Sequence, residues 1–153
     1  MTLTQTDVVE RKVRIEAHPQ TVFGFLTDPA KMLLWTGLEV TLEPQEGGVY
    51  RVNMNGRDVM RGNFVEVVPY QKVVFTFGWE GSETLPPGSS TVEYNLIPDG
   101  NSTILHLKHH NLPTPMREAH GAGWDHMLTR LVIVARGDDP GADSWHGSST
   151  KMG

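Results

Sequence analysis

The chain has 153 residues, a net charge of -5 and no cysteine. That length suits one domain with a real core, and the missing cysteine excludes disulfides, a cysteine nucleophile and thiolate metal sites. An acidic balance without any Lys/Arg run excludes nucleic acid as the main partner.

The opening stretch, MTLTQTDVVERK, has no apolar leader core, and nowhere do about 18 apolar residues run together. A cytoplasmic protein without membrane insertion is therefore expected. Residues 8–17 alternate, with Val9, Arg11, Val13 and Ile15 on one phase, which predicts a half-buried strand. Pro19 then opens a short helix through Leu26. Asp28 caps a second one, with Pro29 at its first position and Leu33, Leu34 and Trp35 inside it.

From Leu38 the period becomes two. Strands are expected over residues 38–42, 49–54, 59–68, 72–79, 91–97 and 103–109. Asn55-Gly56 and Asp99-Gly100-Asn101 are hairpin signals, and Gly47, Gly48 and Gly62 are read as bends or bulges. Asp58 and Arg61 are expected to pair on a solvated face. Residues 80–90, EGSETLPPGSS, read as a polar loop outside the core.

Residues 114–136 wind into a long helix. At about 100° per residue, Met116, His120, Trp124, Met127, Leu128, Leu131, Val134 and Ala135 share a face. Thr114 is its expected N-cap, and Gly137 its left-handed stop. Gly121 and Gly123 flank Trp124, and each costs a helix roughly 1 kcal/mol relative to alanine. Two readings stay open: close packing of the helix backbone, or room beside the indole for a ligand. Residues 138–153 have no periodicity and read as a flexible tail containing Trp145. The tally is seven antiparallel strands, with helices after the first strand and at the end.

The order of elements and six motifs together resemble the START-like superfamily, in its branch similar to activators of the heat-shock-protein ATPase. The motifs are Ala17-His18-Pro19-Gln20-Thr21-Val22-Phe23; Leu26-Thr27-Asp28-Pro29 with Trp35; and Gly62-Asn63-Phe64-Val65-Glu66-Val67-Val68-Pro69. Residues 73–79, His109-His110-Asn111-Leu112-Pro113, and Gly123-Trp124 with Leu128 and Leu131 complete the set. The resemblance implies one α+β helix-grip domain over residues 8–137. Its curved seven-stranded antiparallel sheet would wrap around the long C-terminal helix, with a cavity between them. It leaves activity open, because such domains include lipid and polyketide binders, cyclases, resistance proteins and chaperone cofactors.

Strand parity and the helical face propose the cavity lining: Trp35, Tyr50, Phe75, Phe77, Trp79, Tyr94, Leu107, His109, His120, Trp124 and Met127. Val52 and Met54 share the phase of Tyr50. The expected polar tips are Tyr94, His109, His120 and the indole N–H groups, a composition that suits a small, mostly hydrophobic molecule. The alternative is that the same residues simply fill the core. His109 is the candidate acid or base, and the bland reading beside it is a buried imidazole bonded to its neighbours. Among seven histidines no pair has a zinc-helix spacing, so no metal is expected, and no cofactor motif is present. Three functions follow: a binder of a small hydrophobic molecule, a cyclase- or isomerase-type enzyme, or a domain that activates a chaperone ATPase. A homodimer and a protein partner stay open.

Overall fold

A computed structural model describes residues 8–143. The elements run β1 (Val8–Ile15), α1 (Pro19–Thr27), α2 (Pro29–Met32), β2 (Glu39–Leu42), β3 (Val49–Asn53), β4 (Val59–Val68), β5 (Lys72–Phe77), β6 (Ser90–Asp99), β7 (Ser102–His110) and α3 (Thr114–Ala135). The seven strands form one antiparallel sheet in the order β1-β7-β6-β5-β4-β3-β2. The crossover through α1 and α2 carries the chain from one edge of this sheet to the other. This is the α+β helix-grip arrangement that the START-like resemblance implies, with the seven antiparallel strands and the long C-terminal helix expected from the periodicity. Trp145 and the rest of the expected tail from residue 144 onward lie outside the described residues.

α3 lies against the apolar face of the sheet because its periodic residues have one side to bury. His120, Gly121, Gly123, Met127, Leu128, Leu131 and Val134 are buried, whereas Glu118, Asp125 and Thr129 are exposed. Asp125 accepts from Arg11 Nε at 2.6 Å, tying the helix to β1. The two glycines divide the roles left open by the sequence. A Cβ on Gly121 would sit 2.7 Å from Arg11 Nη2 and 3.8 Å from Val9 Cγ1, so here the helix backbone rides directly on β1. Gly123 faces the interior void described below.

Several local expectations are corrected. The N-cap of α3 is Pro113 without a side-chain cap bond, and the Thr114 hydroxyl instead accepts from Arg117 Nη2 at 2.6 Å. α2 stops at Met32, so Leu33 and Leu34 are turn residues at 42% and 55% exposure rather than helix interior. Leu38, just after this turn in the chain, is exposed too. Arg61 pairs with Glu80, not with Asp58, and Asp58 accepts from Asn55 Nδ2 at 3.0 Å. The polar loop after Trp79 also reaches the core: Leu85 is buried, and its carbonyl accepts from the Trp79 N–H at 2.8 Å.

Gly62 is neither bend nor bulge. The register shift comes two residues later, between Phe64 and Glu66. At Gly62 the reason for glycine is close approach, since a Cβ there would lie 1.7 Å from the Thr76 carbonyl oxygen. Gly62→Ala must push β4 and β5 apart, and the expected cost is about 1–3 kcal/mol, typical of forced overpacking. Urea denaturation measures it, and an unchanged midpoint would show that the strands separate freely.

Candidate functional site

β3, β4, β5 and β6 each turn alternate side chains toward α3, and Tyr50, Val52, Met60, Phe77 and Tyr94 are the ones that arrive beneath it. α3 answers with His120, Gly123, Trp124 and Met127, spaced i, i+3, i+4 and i+7 on one face. Met32, Trp35 and Thr36 close one end from the crossover, and Trp79 is held on β4 by its bridge to Met60. Between these walls is a pocket with a cavity volume of about 60 Å³. One water needs about 10–15 Å³ on this measure, so the space is real but an order smaller than a full drug-sized site.

Of the expected lining, Trp35, Tyr50, Phe77, Trp79, Tyr94, His120, Trp124 and Met127 border this pocket. Phe75, Leu107 and His109 do not. Phe75 lies behind Tyr50, stacked on it with ring centroids 3.8 Å apart. Leu107 sits opposite Tyr94 across the β6–β7 ladder, fully buried. His109 stands behind the Trp124 indole, ring to ring 5.9 Å. Parity shows that a residue points inward but not which inward residue screens another. Met32, Thr36 and Met60 were missed. Met60 shares the phase of buried Phe64 on β4, a signal that was available; Met32 and Thr36 lie in the crossover, where no strand parity applies.

The imidazoles are committed. Trp124 Nε1 donates to His109 Nδ1 at 3.0 Å, and His109 Nε2 lies 2.9 Å from Ser90 Oγ, which itself donates to the Phe77 carbonyl at 2.8 Å. An indole nitrogen can only donate, so His109 Nδ1 is bare and its proton is on Nε2, given to Ser90. His120 holds the opposite tautomer. Its Nε2 accepts from Trp79 Nε1 at 3.1 Å, and its Nδ1–H donates to the Met116 carbonyl at 3.0 Å. Burial pushes the pKa of His109 well below the ordinary value, with His120 and His110 adding to the effect. Burial also lowers His120, against an opposing bond to the Met116 carbonyl. Both rings are therefore neutral with both nitrogens in hydrogen bonds, the arrangement of a buried imidazole bonded to its neighbours.

The third indole is spent as well: Trp35 Nε1 donates to the Phe25 carbonyl at 3.0 Å. Tyr50 donates over a long 3.9 Å contact to Met32 Sδ, and the Tyr94 hydroxyl is hydrogen-bonded to that of Tyr50, so no buried side-chain polar atom among the described residues is left without a partner. Burial raises the pKa of both phenols, so they remain O–H groups. The other histidines of the described residues lie on outer surfaces. His106 pairs with Glu10 at 2.5 Å, His110 with Glu93 at 3.2 Å and His126 with Asp143 at 2.6 Å. No three metal-binding side chains are grouped among the described residues.

The family described as "Activator of Hsp90 ATPase homolog 1-like protein" matches residues 16–136, most of the chain and all of the pocket. The chain belongs to this family. A comparison with curated proteins finds no match. The solution structure of an AHSA1-like protein from Rhizobium etli is 46% identical, with a TM-score of 0.73 over 94% of this chain and 91% of that one. CalU16 from Micromonospora echinospora is 26% identical, with a TM-score of 0.71 over 86% and 75%. The Aha1 dimer from Colwellia psychrerythraea shares the fold at 16% identity, with a TM-score of 0.74 over 84% and 95%. No helix among the described residues of this AHSA1-like chain is long and apolar enough to cross a membrane.

Proposed function

We propose that this AHSA1-like chain binds a small, mostly apolar molecule in the pocket between sheet and α3, as a carrier, protective or regulatory protein. The observation that carries this reading is the pairing of a void in an aromatic wall with imidazoles already saturated by indoles. General acid–base catalysis needs a nitrogen within reach of a substrate proton, and neither His109 nor His120 offers one. That sets the cyclase- or isomerase-type alternative behind binding.

Gly123 supplies the test because it borders the space without a side chain of its own. Gly123→Leu would project a butyl group into the pocket while improving helix propensity by roughly 1 kcal/mol. Toluene, titrated while the indole N–H resonances of Trp79 and Trp124 are followed, is expected to shift both saturably in the natural protein. The same titration should fail in a folded Gly123→Leu variant. Undiminished binding in that variant would put the probe elsewhere and defeat the proposal.

A further inference from the structure

The polar groups on the pocket wall are spent on the protein itself, and that names what the ligand lacks. Trp79 Nε1 donates to His120 Nε2 at 3.1 Å, Trp124 Nε1 to His109 Nδ1 at 3.0 Å, and Trp35 Nε1 to the Phe25 carbonyl at 3.0 Å. The Tyr94 hydroxyl is bonded to that of Tyr50, which donates to the Met32 thioether at 3.9 Å. Among the described residues no buried side-chain nitrogen or oxygen lacks a partner.

A wall of this kind selects by exclusion. A ligand carbonyl that enters leaves its bonds to water behind and meets no free donor in exchange. A charged group fares worse, because no Lys, Arg, Asp or Glu borders the pocket to pair with it. What remains favourable is contact with rings and thioethers. Phe77 stands edge-on to Trp79, with centroids 5.4 Å apart, and is tilted to Trp124 at 6.3 Å, so aromatic surface suited to a flat ring borders the space on more than one side. Size sets the last condition. An apolar cavity of about 150 Å³ holds benzene. A ring therefore enters a space of about 60 Å³ only as the wall yields, and the flexible thioethers of Met32, Met54, Met60 and Met127 let it do so.

We infer that the ligand is a single-ring hydrocarbon, and that His120 enforces this choice by masking the Trp79 indole N–H against any ligand that carries an acceptor. Trp79 and His120 both border the space, so the bond between them belongs to its wall. The mask is held from behind. The Met116 carbonyl, one helical turn earlier, accepts from His120 Nδ1–H at 3.0 Å, which leaves the bare Nε2 for the indole. Without that imidazole the wall would carry a free indole donor, and a ring bearing a carbonyl would be admitted. The inference rests on the binding function proposed above. It adds a specificity-determining residue and a sign: an acceptor or a charge on the ring weakens binding.

The experiment compares three probes of similar size by calorimetry: ethylbenzene, acetophenone and benzoate. Ethylbenzene is expected to bind about tenfold more tightly than acetophenone, equivalent to about 1.4 kcal/mol, with benzoate not detected. In His120→Leu, which keeps a side chain of similar bulk, that preference should vanish. Acetophenone should then move the Trp79 indole N–H resonance downfield as its carbonyl takes up the vacated bond, a signature that a merely structural role for His120 would not produce. Equal affinity for ethylbenzene and acetophenone in the natural protein, a result that needs no variant to fold, would overturn the exclusion of acceptors while leaving a binding pocket. A preference that survives undiminished in folded His120→Leu would overturn the masking role. Benzoate binding as tightly as ethylbenzene would overturn the exclusion of charge. If none of the probes binds, the proposed function falls and this inference with it.

Discussion

His109→Ala is expected to lower the unfolding free energy by about 4 kcal/mol, the largest single effect anticipated in this chain. The imidazole is fully buried, packed edge-on against Phe77 at 4.5 Å, and holds partners on two sides. Alanine leaves a cavity, which costs about 2–5 kcal/mol for a large buried side chain. It also strands the part-buried Trp124 indole N–H, which costs up to about 1–3 kcal/mol when unpaired, and removes the proton given to Ser90. Part of this overlaps, since a water can enter the new space and bond the indole. Denaturant unfolding of His109→Ala, Trp124→Phe and the double variant separates the terms. The two residues should show a coupling energy of about 1 kcal/mol or more, as expected for partners in one hydrogen-bonded unit. A loss below about 1 kcal/mol for His109→Ala would show that the ring is not part of the core.

The fold was largely legible because its periodicities are physical. Residues 59–68 alternate as a two-sided strand must, and β4 occupies that span. The stripe from His120 to Val134 recurs at helical spacing because the sheet offers α3 one face to cover. What stayed hidden depends on partners brought together by closure. Trp124 and His109 are 15 residues apart, Trp79 and His120 are 41 apart, and nothing local marks either pair. The sequence reading therefore counted indoles and imidazoles as polar groups available to a ligand, whereas the fold spends them on each other. The glycines beside Trp124 could not be told apart for the same reason. Gly121 meets β1 and Gly123 meets the pocket, a distinction set by which turn of α3 crosses which strand. Pro113 and Thr114 illustrate a smaller failure. A cap signal was present, but the Arg117 side chain takes the Thr114 hydroxyl as its acceptor.

Lowering the pH from about 8 to 5 is expected to destabilise the protein before ordinary carboxylates titrate, and the two committed imidazoles are the cause. Burial holds His109 and His120 below the ordinary histidine value in the folded chain. In the unfolded chain both titrate near about 6.5. Above that value neither state binds the proton and stability is on its plateau. Below it the unfolded state binds protons that the folded state refuses, so stability falls by up to about 1.4 kcal/mol per pH unit for each ring until the folded pKa is reached. The structure supplies the reason for refusal: a proton on His109 Nδ1 or His120 Nε2 would point at an indole N–H already facing it. Carboxylates such as Glu16 and Glu80, held low by bonds from Ser102 and Arg51, add their losses only at more acid pH, where unfolded carboxylates protonate. Urea midpoints measured across this range should therefore slope downward below about pH 6.5. His120→Gln, which cannot titrate, should make the slope shallower. A flat profile from pH 8 to about 5 would mean that the folded protein accepts these protons freely, and the indole-bound neutral imidazoles would then be wrong.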